Sequence, residues 1–458
     1  MQVKSITLHN IGQFKELTIP LAPFNDNAPK VTVFIGNNGS GKTTVLKSLV
    51  TALNWLSARI RSERGRGLDI PEEVIMNGQS SGMVVLNVNV KNAEQSFTWQ
   101  ISKSKQGRKN QFSTDLKAIN SLADIYRTNL TENAQADLPI LAFYPVERSV
   151  LDIPLKIREK HSFEQINGYD NALNMGVDFR RFFEWFRNEE DAENEIYKDI
   201  PKLPPELVNI LRQHNIDRAV VEKVKDNLHQ AENRLKNETK LAYVKQAIQE
   251  FTGFEEIHIQ RKPKQKMLVR KNNQEFDVIQ LSQGEKSLMA LVGDIARRLA
   301  MLNPSLENPL NSQGIVMIDE ADLHLHPQWQ RQLIARLTKT FPNCQFVLST
   351  HSPLVISDSK DIVVYSLENG EMQQIPSQYG QDANTVLLNA METAIRNEEV
   401  TQKLNNLLDL IQYNQLDDAK VKLTELHQEL PENNLELAKA QLLLKKQEIR
   451  HEKNSKNS

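Results

Sequence analysis

The chain has 458 residues, with 56 Lys and Arg against 58 Asp and Glu, a net charge of −2, and 39% hydrophobic residues. So even a balance excludes a protein that holds nucleic acid or an anionic membrane by bulk charge. The single cysteine, Cys344, excludes an internal disulfide framework and a cysteine-based zinc site. The opening MQVKSITLHN has no apolar leader core, and no apolar run is long enough for a bilayer, so the expectation is a cytoplasmic protein with no membrane domain.

Val3, Ile6 and Leu8, then Ile11, Phe14, Leu17 and Ile19, are spaced as antiparallel strands with a short turn. Val31 to Ile35 is continuously apolar and β-branched, the pattern of a strand buried in a mostly parallel sheet. It runs straight into Gly36-Asn37-Asn38-Gly39-Ser40-Gly41-Lys42-Thr43-Thr44, and Val45, Leu46, Leu49, Val50 and Leu53 then keep helical spacing. A strand, a glycine loop of the form G-x-x-x-x-G-K-[ST] and a helix make a phosphate-binding loop. The glycines let backbone N–H groups wrap the phosphates, and the helix N-terminus favours their charge. Lys42 is expected to reach the β- and γ-phosphates and the Thr43 hydroxyl to hold Mg²⁺, so the expected ligands are ATP and Mg²⁺.

Met83 to Val90 alternates as a strand, and Ser102 to Asn110 is polar and basic, a hairpin tip or loop. Asp178 to Phe251 turns helical and charged; Val221, Val224, Leu228, Ala231 and Leu235 follow 3-4 spacing over too short a run for a coiled coil. Ile257 to Val269 reads as a strand pair with a basic turn at Arg261–Lys266. Leu281-Ser282-Gln283-Gly284-Glu285-Lys286 then opens a helix, with Ser282 and Glu285 spaced as a capping box. Ile315 to Ile318 is a second buried strand that delivers Asp319 and Glu320 at its end. Asp319 is expected to hold Mg²⁺ and Glu320 to orient and deprotonate an attacking water. A third buried strand, Gln345 to Leu348, ends at Ser349-Thr350-His351. His324 and His326 near His351 could be taken for zinc ligands, but loop shaping is the preferred reading.

Beyond Gln381, Leu404, Leu407, Leu408 and Ile411 form one apolar stripe; Leu416, Ala419, Leu423, Leu426 and Leu430 form another. Pro431 separates these from Leu435, Ala438 and Leu442, and the whole reads as stacked helical hairpins. Two basic runs, Lys103, Lys105, Arg108 and Lys109, and Arg261, Lys262, Lys264, Lys266, Arg270 and Lys271, are solvated loops or DNA-backbone contacts.

The order of these motifs resembles the ABC/SMC class of P-loop ATPases. LSQGEK is similar to the LSGGEK signature of that class, with Gln283 in place of the first glycine. The resemblance implies that Ser282, Gly284 and Glu285 cap the γ-phosphate of ATP held by a second copy. It also implies that His351 is the switch histidine and that Asp322 works across the same interface. A Q-loop glutamine is not assigned: Gln79 precedes a strand, and Phe143–Arg148 lies in the better place.

LSQGEKSLMALVGDIARRLAMLNP, GIVMIDEADLHLHPQWQRQL and FVLSTHSPLVI resemble the bacterial RecF-like/AAA_21 ATPases. Among these the chain is most similar to the PtuA family of the Septu anti-phage system and some retron defence operons. This implies an α/β mixed-sheet head with an N-terminal antiparallel part, a homodimer or higher homo-oligomer, DNA as target and a separate HNH nuclease partner. The space after His351 suits neither a Toprim domain nor a nuclease of its own. The expected divisions are head halves at 1–175 and 257–380, a helical insertion at 176–256, a C-terminal helical partner-binding region at 381–450 and a disordered tail at 451–458. The alternative is a RecF-like repair ATPase without a nuclease partner.

Overall fold

The computed structural model describes residues 1–22, 30–90, 95–146, 163–174, 179–199, 239–431 and 433–456. It divides into two compact units, Met1–Ala383 and Asn384–Ser458. The first unit opens with β1 (Gln2–Ile11), β2 (Phe14–Pro20), β3 (Val31–Ile35) and helix α1 (Lys42–Arg61). It continues with β4 (Ser81–Val90), β5 (Gln95–Ser104), α2 (Lys117–Glu132), β6 (Ile140–Tyr144), α3 (Phe179–Asp199) and α4 (Lys240–Thr252). Next come β7 (Glu255–Gln260), β8 (Lys266–Lys271), β9 (Gln274–Asp277), α5 (Gln283–Leu302), β10 (Gly314–Ile318) and α6 (Pro327–Thr340). The unit closes with β11 (Cys344–Ser349), α7 (Pro353–Ser357), β12 (Ile362–Glu368) and β13 (Glu371–Ile375).

Its centre is a six-stranded sheet in the order β13-β12-β3-β11-β10-β6. β12, β3, β11, β10 and β6 pair in parallel, and only the edge strand β13 runs antiparallel. Every residue of β3, β6, β10 and β11 is buried, which explains their continuous apolar sequences. A second, antiparallel sheet, β2-β1-β4-β5, keeps the alternation expected of a half-buried sheet, and β7-β8-β9 form a small meander. The unit is thus α/β, a mostly parallel mixed sheet with an N-terminal antiparallel part, as the sequence leads one to expect. Its parallel strands end together at one edge, where open α/β sheets bind their ligands.

Two local readings shift. Ser102 and Ser104 are still paired, with Met83 and Ser81, so the basic loop starts later than Ser102. β9 is a third strand of the basic-turn region; its short polar sequence, QEFD, has no apolar alternation to announce it. The heptad positions Val221 to Leu235 of the expected insertion lie outside the described residues.

After α8 (Ala383–Asn389), the second unit is built from α9 (Glu398–Gln412), α10 (Leu416–Glu429) and α11 (Leu435–Lys456). Its core joins Leu404, Leu407 and Ile411, Ala419, Leu423 and Leu426, and Leu437, Ala440 and Leu444. The face expected of α11 is corrected: Leu435 and Leu442 are exposed at 66% and 70%, and Leu437, Ala440 and Leu444 turn inward. With leucine at 435, 437, 442, 443 and 444 this helix has two apolar stripes. Each stripe sets an alanine, Ala438 or Ala440, between leucines, so periodicity cannot choose between them. The tail is corrected too. No Gly or Pro interrupts the sequence after Leu435, and α11 runs to Lys456 instead of ending at 450. Among the described residues, no helix is long and apolar enough to cross a membrane.

Candidate functional site

The glycine loop leaves β3 through Gly36, whose φ is +139°. A Cβ there would lie 2.4 Å from the Leu367 carbonyl of β12, so the chain can pass only as glycine. Gly41 caps α1 at φ +93°, and a Cβ on it would meet the Phe14 ring at 2.5 Å. The first hairpin therefore braces the loop, and Gln13 in its turn donates to the Ser40 carbonyl. Gln13 carries no motif, and its place in a tight turn was its only signal.

Lys42 is only 6% exposed, and its Nζ donates to the carbonyls of Gly36 at 2.9 Å and Asn37 at 3.0 Å. Burial draws its pKa below the ordinary lysine value, against the opposing pull of Asp319, Glu320 and Asp322. The Ser40 hydroxyl is buried and has no hydrogen-bond partner among the described residues.

Two strand ends complete the cleft. Thr43 Oγ1 donates to Asp319 Oδ2 at 2.8 Å, and Ser349 Oγ donates to Asp319 Oδ1 at 2.5 Å. The Glu320 N–H donates to Ser349 Oγ at 2.7 Å, and the Ala321 N–H donates to the Ser349 carbonyl at 2.8 Å. Ser349 is thus the joint between the β10 and β11 ends. Glu320 itself sits at φ +44°, a left-handed conformation uncommon for glutamate and held by these bonds.

Asp322 was expected to act across an interface; its Oδ1 accepts from Thr350 Oγ1 at 2.5 Å and from the His351 N–H at 3.2 Å within its own chain. It fixes the turn that presents the exposed His351. His326 caps α6 by accepting from the Gln328 N–H at 3.3 Å. The carbonyl end of Phe143-Tyr144 adjoins the carboxylates, since the Asp319 N–H donates to the Tyr144 carbonyl at 2.9 Å. Gln79 closes a turn on the Met76 carbonyl instead, and Glu147 and Arg148 lie outside the described residues.

Asn38, Gly39, Gly41, Lys42, Thr43, Thr44, Asp319, Glu320 and His351 line one cleft of about 170 Å³. Gly36, Asn37 and Ser40 complete its loop. Ser282, Gly284 and Glu285 are not among the lining residues. They form the start of α5: the Ser282 side chain accepts from the Glu285 N–H, and the Glu285 carboxylate takes the Ser282 N–H at 3.0 Å. Lys271 of β8 pairs with Glu285. A larger hollow of about 720 Å³, lined by Glu190, Lys245, His258 and Arg261 among others, contains none of the motif residues.

The cradle fits a polyphosphate with a divalent cation. It offers glycines in left-handed conformations, an unpartnered buried hydroxyl, one lysine, and a hydroxyl–carboxylate pair where oxygen ligands are needed. Lys42 and the loop N–H groups would hold the phosphates, and Thr43 with Asp319 would hold Mg²⁺. When bound, that cation neutralises phosphate charge.

Gly284 has a role inside its own chain. A Cβ there would lie 2.5 Å from the carbonyl of His324, itself at φ +62°. Because the contact is with backbone, Gly284→Ala is expected to lower stability by about 1–3 kcal/mol in urea unfolding. The basic runs are partly neutralised: Lys103 pairs with Asp69, Arg261 with Glu190 and Asp191, Lys266 with Asp277, and Arg270 with Glu256.

Residues 31–357 match the AAA_21 family, described as "AAA domain, putative AbiEii toxin, Type IV TA system". The chain is 34% identical over 447 residues to the "Retron Vc95 probable ATPase" of Vibrio cholerae serotype O1 biovar El Tor, covering 92% of this chain and 86% of that protein. It is 32% identical to the "Retron Ec83 probable ATPase" of Escherichia coli, covering 93% of this chain and 83% of that protein. A shorter stretch of 113 residues is 37% identical to the Septu protein PtuA of Bacillus mycoides (strain KBAB4), covering 23% of this chain and 15% of that protein. With a phosphate loop, an acidic strand end and a histidine gathered in one cleft, the chain belongs to the AAA_21 family and is an ATPase of the ABC/SMC type.

Proposed function

We propose that this chain is the ATP-hydrolysing subunit of an anti-phage defence complex, and that two heads meet face to face to complete its sites. One observation carries the dimeric reading. The cleft of about 170 Å³ is smaller than the roughly 300–1,000 Å³ of a complete ligand pocket, and Ser282 and Gly284 stand outside it at a helix N-terminus. Such a helix start favours anions. In a facing copy it would close over the γ-phosphate.

Within each site the roles follow from position. Lys42 and the loop N–H groups bind and orient the phosphates. Thr43 and Asp319 hold the cation. Glu320 takes the proton of the attacking water, and His351 meets the γ-phosphate from the β11 end. The names of the retron and PtuA relatives support a defence role. The proposed partner is an HNH nuclease acting on DNA in the cytoplasm, controlled by the nucleotide state of the heads. Region 381–450 would receive it, with Leu435, Leu442, Leu443 and Ile449 of α11 exposed for contact. Arg108, Lys109, Lys262 and Lys264 have no ion pair among the described residues and are the candidate DNA contacts.

Ser282→Arg tests the interface, because a bulky cation cannot seat where the small hydroxyl meets phosphate. With ATP, the Glu320→Gln protein is expected to run as a dimer or larger assembly in size-exclusion chromatography with light scattering. Adding Ser282→Arg is expected to return it to the size seen without nucleotide; an unchanged assembly rejects the face-to-face site. Purification of the tagged chain from its own operon tests the partner. A stoichiometric HNH protein supports the defence complex, whereas ATP-dependent DNA binding by the chain alone supports a RecF-like repair role.

A further inference from the structure

Helix α5, which begins at Ser282, carries a buried ionic cluster that the site chemistry does not use. Asp294 is fully buried, and Arg297 and Arg298 are 1% and 2% exposed. Asp294 Oδ1 accepts from Arg297 Nε at 3.1 Å and Nη2 at 2.6 Å, and Oδ2 accepts from Arg298 Nε at 2.7 Å. Burial alone would raise the Asp294 pKa; the two guanidiniums outweigh it and hold the group at about 2. A fourth donor comes from the sheet: Tyr144 Oη, at the end of β6, lies 3.0 Å from Asp294 Oδ2.

Stability alone is a poor account of this cluster. Ionised groups lose their hydration when buried, and well-packed apolar replacements are often as stable. A directional link is what the cluster adds. The carbonyl of the same Tyr144 accepts the Asp319 N–H at 2.9 Å. Two hydrogen bonds through one residue therefore join α5 to the residue beside Glu320. Arg298 extends the connection by donating to the carbonyls of Gly168 at 2.7 Å and Asp170 at 2.9 Å. The Asp170 carboxylate pairs at 2.6 Å with Arg61, the last residue of the phosphate-loop helix α1.

We propose that Tyr144 and Asp294 are positioning residues, which relay the seating of the α5 N-terminus against a facing nucleotide to the Asp319–Glu320 carboxylates of the same chain. This rests on the face-to-face reading above. When Ser282 and Gly284 engage phosphate, α5 becomes fixed. The Asp294–Tyr144 bond then fixes the end of β6, and the Tyr144 carbonyl fixes the backbone on which Glu320 is held. Tyr144→Phe removes only the phenol oxygen and leaves Asp294 paired with both arginines, so the fold is retained.

The experiment compares wild type, Tyr144→Phe, Ser282→Arg and the double variant as full chains. It measures the Kd of a fluorescent ATP analogue, Tm, and the single-turnover rate of ATP hydrolysis. Tyr144→Phe is expected to slow hydrolysis on the order of tenfold, a fraction of what misplaced reacting groups can cost, with Kd within about twofold and Tm within a few degrees. In the Ser282→Arg background the same change is expected to alter the residual rate less than about twofold, the signature of coupled sites. A Tyr144→Phe protein with the wild-type rate overturns the relay, as does an equal slowing in both backgrounds, which reduces Tyr144 to local support of Asp319. Ser282→Arg matching wild type in rate overturns the face-to-face reading instead.

Discussion

Glu320→Gln is expected to lower ATP turnover by about 10²–10⁴-fold, the span a positioned general base supplies, while ATP binding persists. The amide is isosteric and keeps the backbone of residue 320 in place, because the bond that fixes it runs from the Glu320 N–H to Ser349 Oγ at 2.7 Å. What disappears is an acceptor able to take a proton. Asp319 cannot substitute. Its two carboxylate oxygens already accept from Thr43 and Ser349, and it is 1% exposed, whereas Glu320 reaches the cleft. Phosphate release under saturating ATP gives the rate, and retention of labelled nucleotide on a desalting column gives the binding. A fall of less than about tenfold would transfer the proton-accepting role to His351, which also lines the cleft.

The parts of this site that were legible in the sequence are those in which chemistry and strand are contiguous. β3 runs into the glycine loop, β10 into Asp319-Glu320 and β11 into Ser349-Thr350-His351, so each buried apolar run announces its own polar end. The capping box of Ser282 and Glu285 was legible for the same reason, being spaced along one helix turn. What stayed hidden depends on pairs distant in sequence. Gln13 supports Ser40, Ser349 joins two strand ends, Gly284 clears the His324 carbonyl, and Tyr144 meets Asp294. None of these has a local spacing to betray it. The inward face of α11 failed differently. Both of its stripes have helical periodicity, and only the packing of Leu437, Ala440 and Leu444 against α9 and α10 decides between them.

Lys42→Ala is expected to weaken ATP binding on the order of 10²-fold or more, because hydrogen bonds to charged groups contribute about 1.5–3 kcal/mol each and Lys42 can make several. The change is worse than the loss of those bonds. Lys42 is the cation among the residues lining the cleft, and Asp319 and Glu320 share that lining. Without it, the phosphates would face two carboxylates across a partly desolvated gap, where like charges repel more strongly than in water. Stability of the nucleotide-free protein is expected to change little. The ammonium is held there by two loop carbonyls, and its lowered pKa shows that burial already works against the charged form. Thermal melting separates the two effects. Wild-type Tm is expected to rise with ATP concentration by mass action, and the Lys42→Ala Tm is expected to start near the wild-type value and stay flat. A variant that still gains Tm with ATP at wild-type concentrations would show that the loop N–H groups and Thr43 suffice for binding, leaving Lys42 to act on the γ-phosphate during hydrolysis alone.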